Sequence, residues 1–300
     1  LYYDAAAENP SSNLHAGAGY VRRDGSVATT YPILGARDIC KRLYNMIIKY
    51  YPFAWIGFHQ SGMPNMAYMG FGTWSWDGEN FNGIISGKQP TYLGVLNPAK
   101  FRAEYMGHNM GWPVMFLGQG RIRKEWADAA GCENVIDHLH GLCLLHDVPA
   151  VGWQIEGERE KVCERTYRAV ERHRLSSPAY RFVPYWRQDI VQLPRPEIHA
   201  SFYILQEPWK IEKGRDWSFY AEKQDTPVPK KAVMIAYNDS DFKGEMHLNP
   251  DWKKMGFDST DGLLVENAVH STGFRIEKAR NDKGEEVDKA VFFPRPDETA

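Results

Sequence analysis

With 300 residues the chain is long enough for two ordinary domains, and longer than one small core requires. Its 36 Lys and Arg balance 38 Asp and Glu, so nothing in the charge points to nucleic acid or a membrane surface as a partner. Ten Trp, 16 Tyr and 14 Phe make it rich in flat amphipathic rings, which suit sugar binding and fill cores equally well.

Up to about residue 172, short apolar runs alternate with helical patterns, the signature of repeated βα units. Leu1-Tyr2-Tyr3-Asp4 reads as a strand end, and a long polar loop follows to about Thr30. Pro32 stands where a helix can begin, and Ile33, Ala36, Ile39, Cys40, Leu43, Met46, Ile47 and Tyr50 recur at i, i+3, i+4 spacing as one apolar face. Phe53–His59 and Thr73–Asp77 read as the next two strands. Asn97-Pro98 opens a helix near Ala99–Met106, and Pro113–Leu117 is a strand ending at Gln119. Cys132–Leu145 is helical, Val148–Trp153 is a short strand, and Glu158–His173 is a charged amphipathic helix. Five strands result. If they close an eight-stranded barrel, they are its strands four to eight.

From about Ser176 the texture changes. Pro178, Pro184, Pro194 and Pro196 mark a crossover, and period-2 runs take over at Ile198–Leu205, Asp216–Glu222, Ala232–Tyr237, Gly244–Leu248, Leu263–Val269, Gly273–Lys278 and Ala290–Phe293. Short strands at regular spacing between turn signals predict an all-β sandwich. The expected fold class is therefore α/β plus all-β. Residues 1–175 read as the C-terminal half of a (β/α) TIM-type barrel, and residues 176–300 as an antiparallel β-sandwich. The chain enters its first strand directly from Leu1, with no signal peptide, which reads as a piece whose N-terminal part lies elsewhere. No apolar stretch approaches the length of a membrane span.

In a parallel barrel the active site gathers at the C-terminal ends of the strands. Asp4 ends the first strand and leads into the long loop, where it either carries chemistry or caps a turn. Along Thr73–Glu79 the residues Thr73, Ser75, Asp77 and Glu79 alternate with Trp74 and Trp76. The expectation is that the acids face the lumen and its mouth and the Trp pair faces the helices, with Gly78 letting the backbone bend between Asp77 and Glu79. Asp4, Asp77 and Glu79 are the candidate catalytic carboxylates. Glycosidic cleavage needs two such groups, one to protonate the leaving oxygen and one to attack or activate water. His59 and Gln119 end neighbouring strands and His15 lies in the long loop; with Trp76 and Trp153 they are the candidate substrate-binding residues.

The run His138-Leu139-His140…His146-Asp147 looks like metal ligands, but two histidines two apart on a helix point to different faces, so no metal is expected. Cys40, Cys132, Cys143 and Cys163 lack metal-type spacing and read as small buried residues. No nucleophile elbow, P-loop or dinucleotide fingerprint occurs, and no cofactor is expected.

Several segments resemble a family of bacterial glycoside-hydrolase-like proteins. They are Leu1–Asp4, Asn13-Leu14-His15 with Gly17–Tyr20, Arg23-Asp24-Gly25, Thr30–Leu34, Lys41–Tyr44, Asp77-Gly78-Glu79 and Phe101–Gly107. In the second half, Met234–Asn238, His247-Leu248-Asn249, Trp252 and Gly256-Phe257 look like sandwiches that follow glycosidase barrels. The resemblance implies an exported protein, secreted or periplasmic, that takes an oligosaccharide or polysaccharide as substrate. With Asp4 on strand four and Asp77 or Glu79 on strand six, the acids match the placement of nucleophile and acid in α-galactosidase-type barrels. Related N-acetyl-β-galactosaminidase barrels use adjacent acids with substrate assistance, whereas here Gly78 separates Asp77 from Glu79. The expectation is thus a glycoside hydrolase, and the alternative is a carbohydrate-binding or scaffold protein that keeps the barrel without the chemistry.

Overall fold

The computed structural model describes residues 1–4, 9–59, 65–79, 96–105, 113–117, 133–151, 158–177, 179–206, 230–240, 248–267, 273–280 and 283–292. By contacts the chain divides into two compact units, one of Leu1–Val135 with His146–Ile155 and one of Ile136–Leu145 with Glu156–Ala300. The helical stretches at 136–145 and 158–173 thus group with the C-terminal strands, whereas the change of texture in the sequence falls at 175/176.

The first unit carries a five-stranded sheet of β1 (Tyr2–Tyr3), β4 (Gly57–His59), β5 (Trp74–Asp77), β6 (Val114–Leu117) and β7 (Ala150–Val151). These strands are parallel and adjacent in chain order, with β1 and β7 at the edges among the described residues. Between β1 and β4 the chain forms a two-stranded ribbon, β2 (Tyr20–Val21) and β3 (Val27–Ala28), and then helix α1 (Ile33–Tyr50). Helix α2 (Met66–Met69) joins β4 to β5, and α3 (Pro98–Glu104) precedes β6. The Asn97-Pro98 signal marks the true start of α3. The Asn97 side chain accepts from Lys100 N–H at 2.8 Å, while Pro98 occupies a first-turn position where no N–H is needed.

Helix α1 begins directly after Pro32, as expected, but it buries a narrower stripe than its apolar residues describe. Cys40 is buried, and Ala36, Tyr44 and Ile47 pack with it against Ile56, Phe58, Tyr68 and Met69. Ile39, Met46 and Tyr50 stay exposed. Strand β4 is also shorter than its apolar run. Phe53 and Trp55 are 69% and 59% exposed, and β1 and β5 supply neighbours only from Gly57 onward.

In the second unit, helices α4 (Glu133–Leu145) and α5 (Glu158–His173) accompany two antiparallel sheets. One has the order β10-β9-β8, from β8 (Tyr180–Val183), β9 (Ile198–Leu205) and β10 (Ala232–Asn238). The other has the order β11-β12-β13, from β11 (Leu264–Glu266), β12 (Gly273–Arg280) and β13 (Glu286–Phe292). Alternation along β9 gives it two buried faces. Ala200, Phe202 and Ile204 enter a cluster with Val183, Ile190, Val191 and Met255. On the other face, Ser201 Oγ donates to Leu145 O at 2.7 Å and Tyr203 OH to Leu144 O at 3.1 Å, fixing the last turn of α4. The strand runs read at Asp216–Glu222 and within 244–247 lie outside the described residues. No helix among the described residues is long and apolar enough to cross a membrane.

Candidate active site

Strand register builds the site. Tyr2 pairs with Gly57 and Gly57 with Trp74, while His59 pairs with Trp76. Period-2 alternation therefore puts Tyr2, Asp4, His59, Trp74 and Trp76 on one face of the sheet. Tyr3, Phe58 and Ser75 take the other face, where Tyr3 and Phe58 pack in the cluster under α1 and α2, and Ser75 is buried. This reverses the facing expected for β5: the Trp pair lines the site, and Ser75 and Asp77 turn toward the helices. The physical reason lies in α1 and α2, whose apolar stripes cover the Phe58 face and leave the Trp face to the site.

Glu79 reaches the site through Gly78. That residue has φ 114°, a left-handed conformation that favours glycine, and a Cβ there would lie 2.8 Å from Phe116 Cε2. The Gly78 N–H donates to Asp77 Oδ1 at 2.7 Å, closing the bend. Beyond it, the Glu79 carboxylate comes to 2.6 Å from His59 Nε2. On the other side of the ring, Asp4 Oδ1 is 2.9 Å from Nδ1. The Tyr2 hydroxyl lies 2.7 Å from that same Nδ1 and 3.3 Å from Asp4 Oδ1.

The result is a histidine clamped between two carboxylates at the C-terminal ends of three adjacent parallel strands. The His59 side chain is 10% exposed, while those of Asp4 and Glu79 are 75% and 36% exposed, so the ring forms a floor and the acids form rims. Aromatic rings wall it. Tyr2 is stacked near His59 and Trp74 and lies 5.0 Å from Trp76, and the Trp76 ring meets His59 edge-on at 6.3 Å. Gly57 makes this closeness possible, because a Cβ there would fall 2.2 Å from the Trp74 ring. Burial, then the charges of Asp4 and Glu79, push the Tyr2 phenol well above its ordinary range, so it stays a neutral donor. Trp74 Nε1 is buried without a hydrogen-bond partner among the described residues.

Of the residues read from the sequence, Asp4, His59, Glu79 and Trp76 come together here. Asp77 belongs to the opposite face. His15 is exposed in the 3-10 turn Leu14–Ala16, which Asn13 caps and Gly17 ends, and its side chain makes no contact with the cluster among the described residues. Gln119 and Trp153 lie outside the described residues. Tyr2 was missed; its signal was position, two residues before Asp4 on one strand and hence on the same face.

Two of the histidines in the metal-like run are core residues: the His146 ring lies tilted 4.9 Å from Phe101 with its Nε2 3.2 Å from Pro98 O, and His140 is buried beside Tyr167. Among the described residues, no group of His, Cys, Asp and Glu converges to hold a metal ion. Cys40 and Cys143 are buried free thiols. Comparison with known proteins gives no match: no family model, no curated protein and no solved structure matches the chain at a significant level.

Proposed function

We propose that the chain hydrolyses glycosidic bonds at the Asp4–His59–Glu79 cluster, as part of a (β/α) barrel followed by a β-sandwich. One observation carries the reading: two carboxylates and a histidine meet at the C-terminal ends of parallel strands, in an aromatic-walled mouth. Rings with flat apolar faces stack on sugars. Glu79, the more enclosed acid, protonates the leaving oxygen, and Asp4, on the exposed rim, activates water. An imidazole ring and two hydrogen bonds separate these carboxylates, which favours the wider spacing of about 6.5–9.5 Å found in inverting enzymes over the about 5–5.5 Å of retaining ones.

The test is a panel of aryl glycosides and oligosaccharides. Glu79→Gln and Asp4→Asn should each lower turnover by roughly 10²–10⁴-fold on whichever glycoside is cleaved, with the circular dichroism spectrum unchanged. If both variants keep full activity, these acids are structural. A second reading rests on the same contacts, since carboxylates engaged by a histidine can also be a structural ion pair. Glycan binding without turnover would then mark the protein as a carbohydrate-binding scaffold.

A further inference from the structure

The His59 ring has a choice to make at Nδ1. Two groups on β1 and its end compete for that atom, the Tyr2 hydroxyl at 2.7 Å and the Asp4 carboxylate at 2.9 Å, while Glu79 alone among the described carboxylates faces Nε2, at 2.6 Å. A neutral imidazole carries one N–H, so it can donate to one carboxylate and must accept at the other nitrogen. Asp4, when ionised, has no proton to give to Nδ1. Tyr2 does.

We propose that Tyr2 is a positioning residue that selects the tautomer of His59: its hydroxyl donates to Nδ1, so the ring proton sits on Nε2 and is directed at Glu79. This has two consequences, and they rest on the glycosidic reading above. Donation from Nε2 engages Glu79 Oε2 and so orients the carboxyl that protonates the leaving group. With Nδ1 accepting from Tyr2, the ring does not spend its one proton on Asp4. The Tyr2 hydroxyl carries one proton, and Asp4 Oδ1, 3.3 Å away, is its competing acceptor.

The groups around the ring come from two strands. Tyr2 and Asp4 approach from β1 and Glu79 from the end of β5, with the uncharged rings of Trp74 and Trp76 completing the wall. The upward shift of the Tyr2 phenol keeps it a donor throughout.

The experiment needs no substrate. In protein labelled with ¹⁵N at histidine, two-bond ¹H–¹⁵N spectra distinguish the tautomers, and His59→Gln assigns the signal. At about pH 9 the neutral His59 ring should be predominantly the Nε2–H tautomer. Tyr2→Phe should lower the ratio of Nε2–H to Nδ1–H by about fivefold or more, with the other histidine signals in place. Asp4→Asn should leave the Nε2–H form dominant, which guards against a Tyr2→Phe protein that does not fold. A wild-type ring that is Nδ1–H at this pH, or a ratio unmoved by Tyr2→Phe, overturns the proposal. The two readings fail separately: inactivity on every glycan with the expected tautomer sinks only the glycosidic reading. Loss of hydrolysis in Glu79→Gln with an unmoved Tyr2→Phe ratio sinks only this one.

Discussion

Two buried histidines of this chain sit in contrasting surroundings. His59 has carboxylates at both nitrogens and belongs to the site; His140 lies in the second unit, 3% exposed beside the Tyr167 ring. Desolvation holds the His140 imidazole down at about 4, against an ordinary value near 6.5. The unfolded chain therefore binds this proton between those two values while the folded chain does not. Stability from His140 is intact above about 6.5 and is lost as pH falls from there through about 4, by on the order of 3 kcal/mol. The urea midpoint of the second unit should drop over that window. His140→Gln, which cannot titrate, should flatten the dependence and lower stability near neutral pH. A wild-type midpoint that stays level between pH 7 and about 4.5 would rule the account out.

At the scale of elements, the end of β5 sets the geometry of the site. The strand delivers Trp74 and Trp76 to the site face by alternation, and Gly78 then breaks the alternation so that Glu79 returns to His59. Gly78→Ala would place a methyl against the fully buried Phe116 at a backbone angle that L residues rarely adopt, at a cost of about 1–3 kcal/mol. The strand end relaxes most easily by swinging residue 79 away. Gly78→Ala should thus lose activity about as severely as Glu79→Gln although every site side chain is present, and the Nε2 signal of His59 should change. Full activity in this variant would mean that Glu79 is placed by something other than the bend. The same logic of close approach joins α4 to its sheet, where Gly141 lies against Tyr237 and Ser201 and Tyr203 hold the last carbonyls of the helix.

Over the whole molecule, the edge of the parallel sheet stands out. Among the described residues strand β1 pairs with β4 alone, and beside its N-terminal end Tyr50, Tyr51, Phe53 and Trp55 are 66%, 70%, 69% and 59% exposed around an open groove of about 750 Å³. An exposed strand edge beside so many apolar rings is a template for association. Sedimentation velocity should show concentration-dependent self-association of this chain, weakened when Tyr51 and Phe53 are replaced by Lys. Monomeric behaviour across the accessible concentrations would show that the edge is innocuous. The groove lies at the N-terminal ends of β1 and β4, away from the catalytic candidates at the opposite strand ends, so these charges should leave the His59 tautomer untouched.

Periodicity and punctuation in the sequence determined the elements: the βα alternation, the Pro32 and Asn97-Pro98 helix starts, and the run Ile198–Leu205, which matches β9 residue for residue. They also brought Asp4, His59 and Glu79 to notice, because polar residues at the C-terminal ends of parallel strands stand out against apolar runs. The facing of the sheet was decided only by tertiary structure. Alternation separates Trp74 and Trp76 from Ser75 and Asp77, but the two faces become inside and outside only when α1 and α2 cover Phe58 and Tyr3. The same holds for the stripe that α1 buries, since its apolar residues spread around more of the helix than one sheet covers and packing chose Cys40 over Ile39. The Tyr2–His59–Asp4 contest belongs to tertiary structure for the same reason. Hydrogen bonds between residues 55 and 57 positions apart form only when β1 and β4 pair in their register.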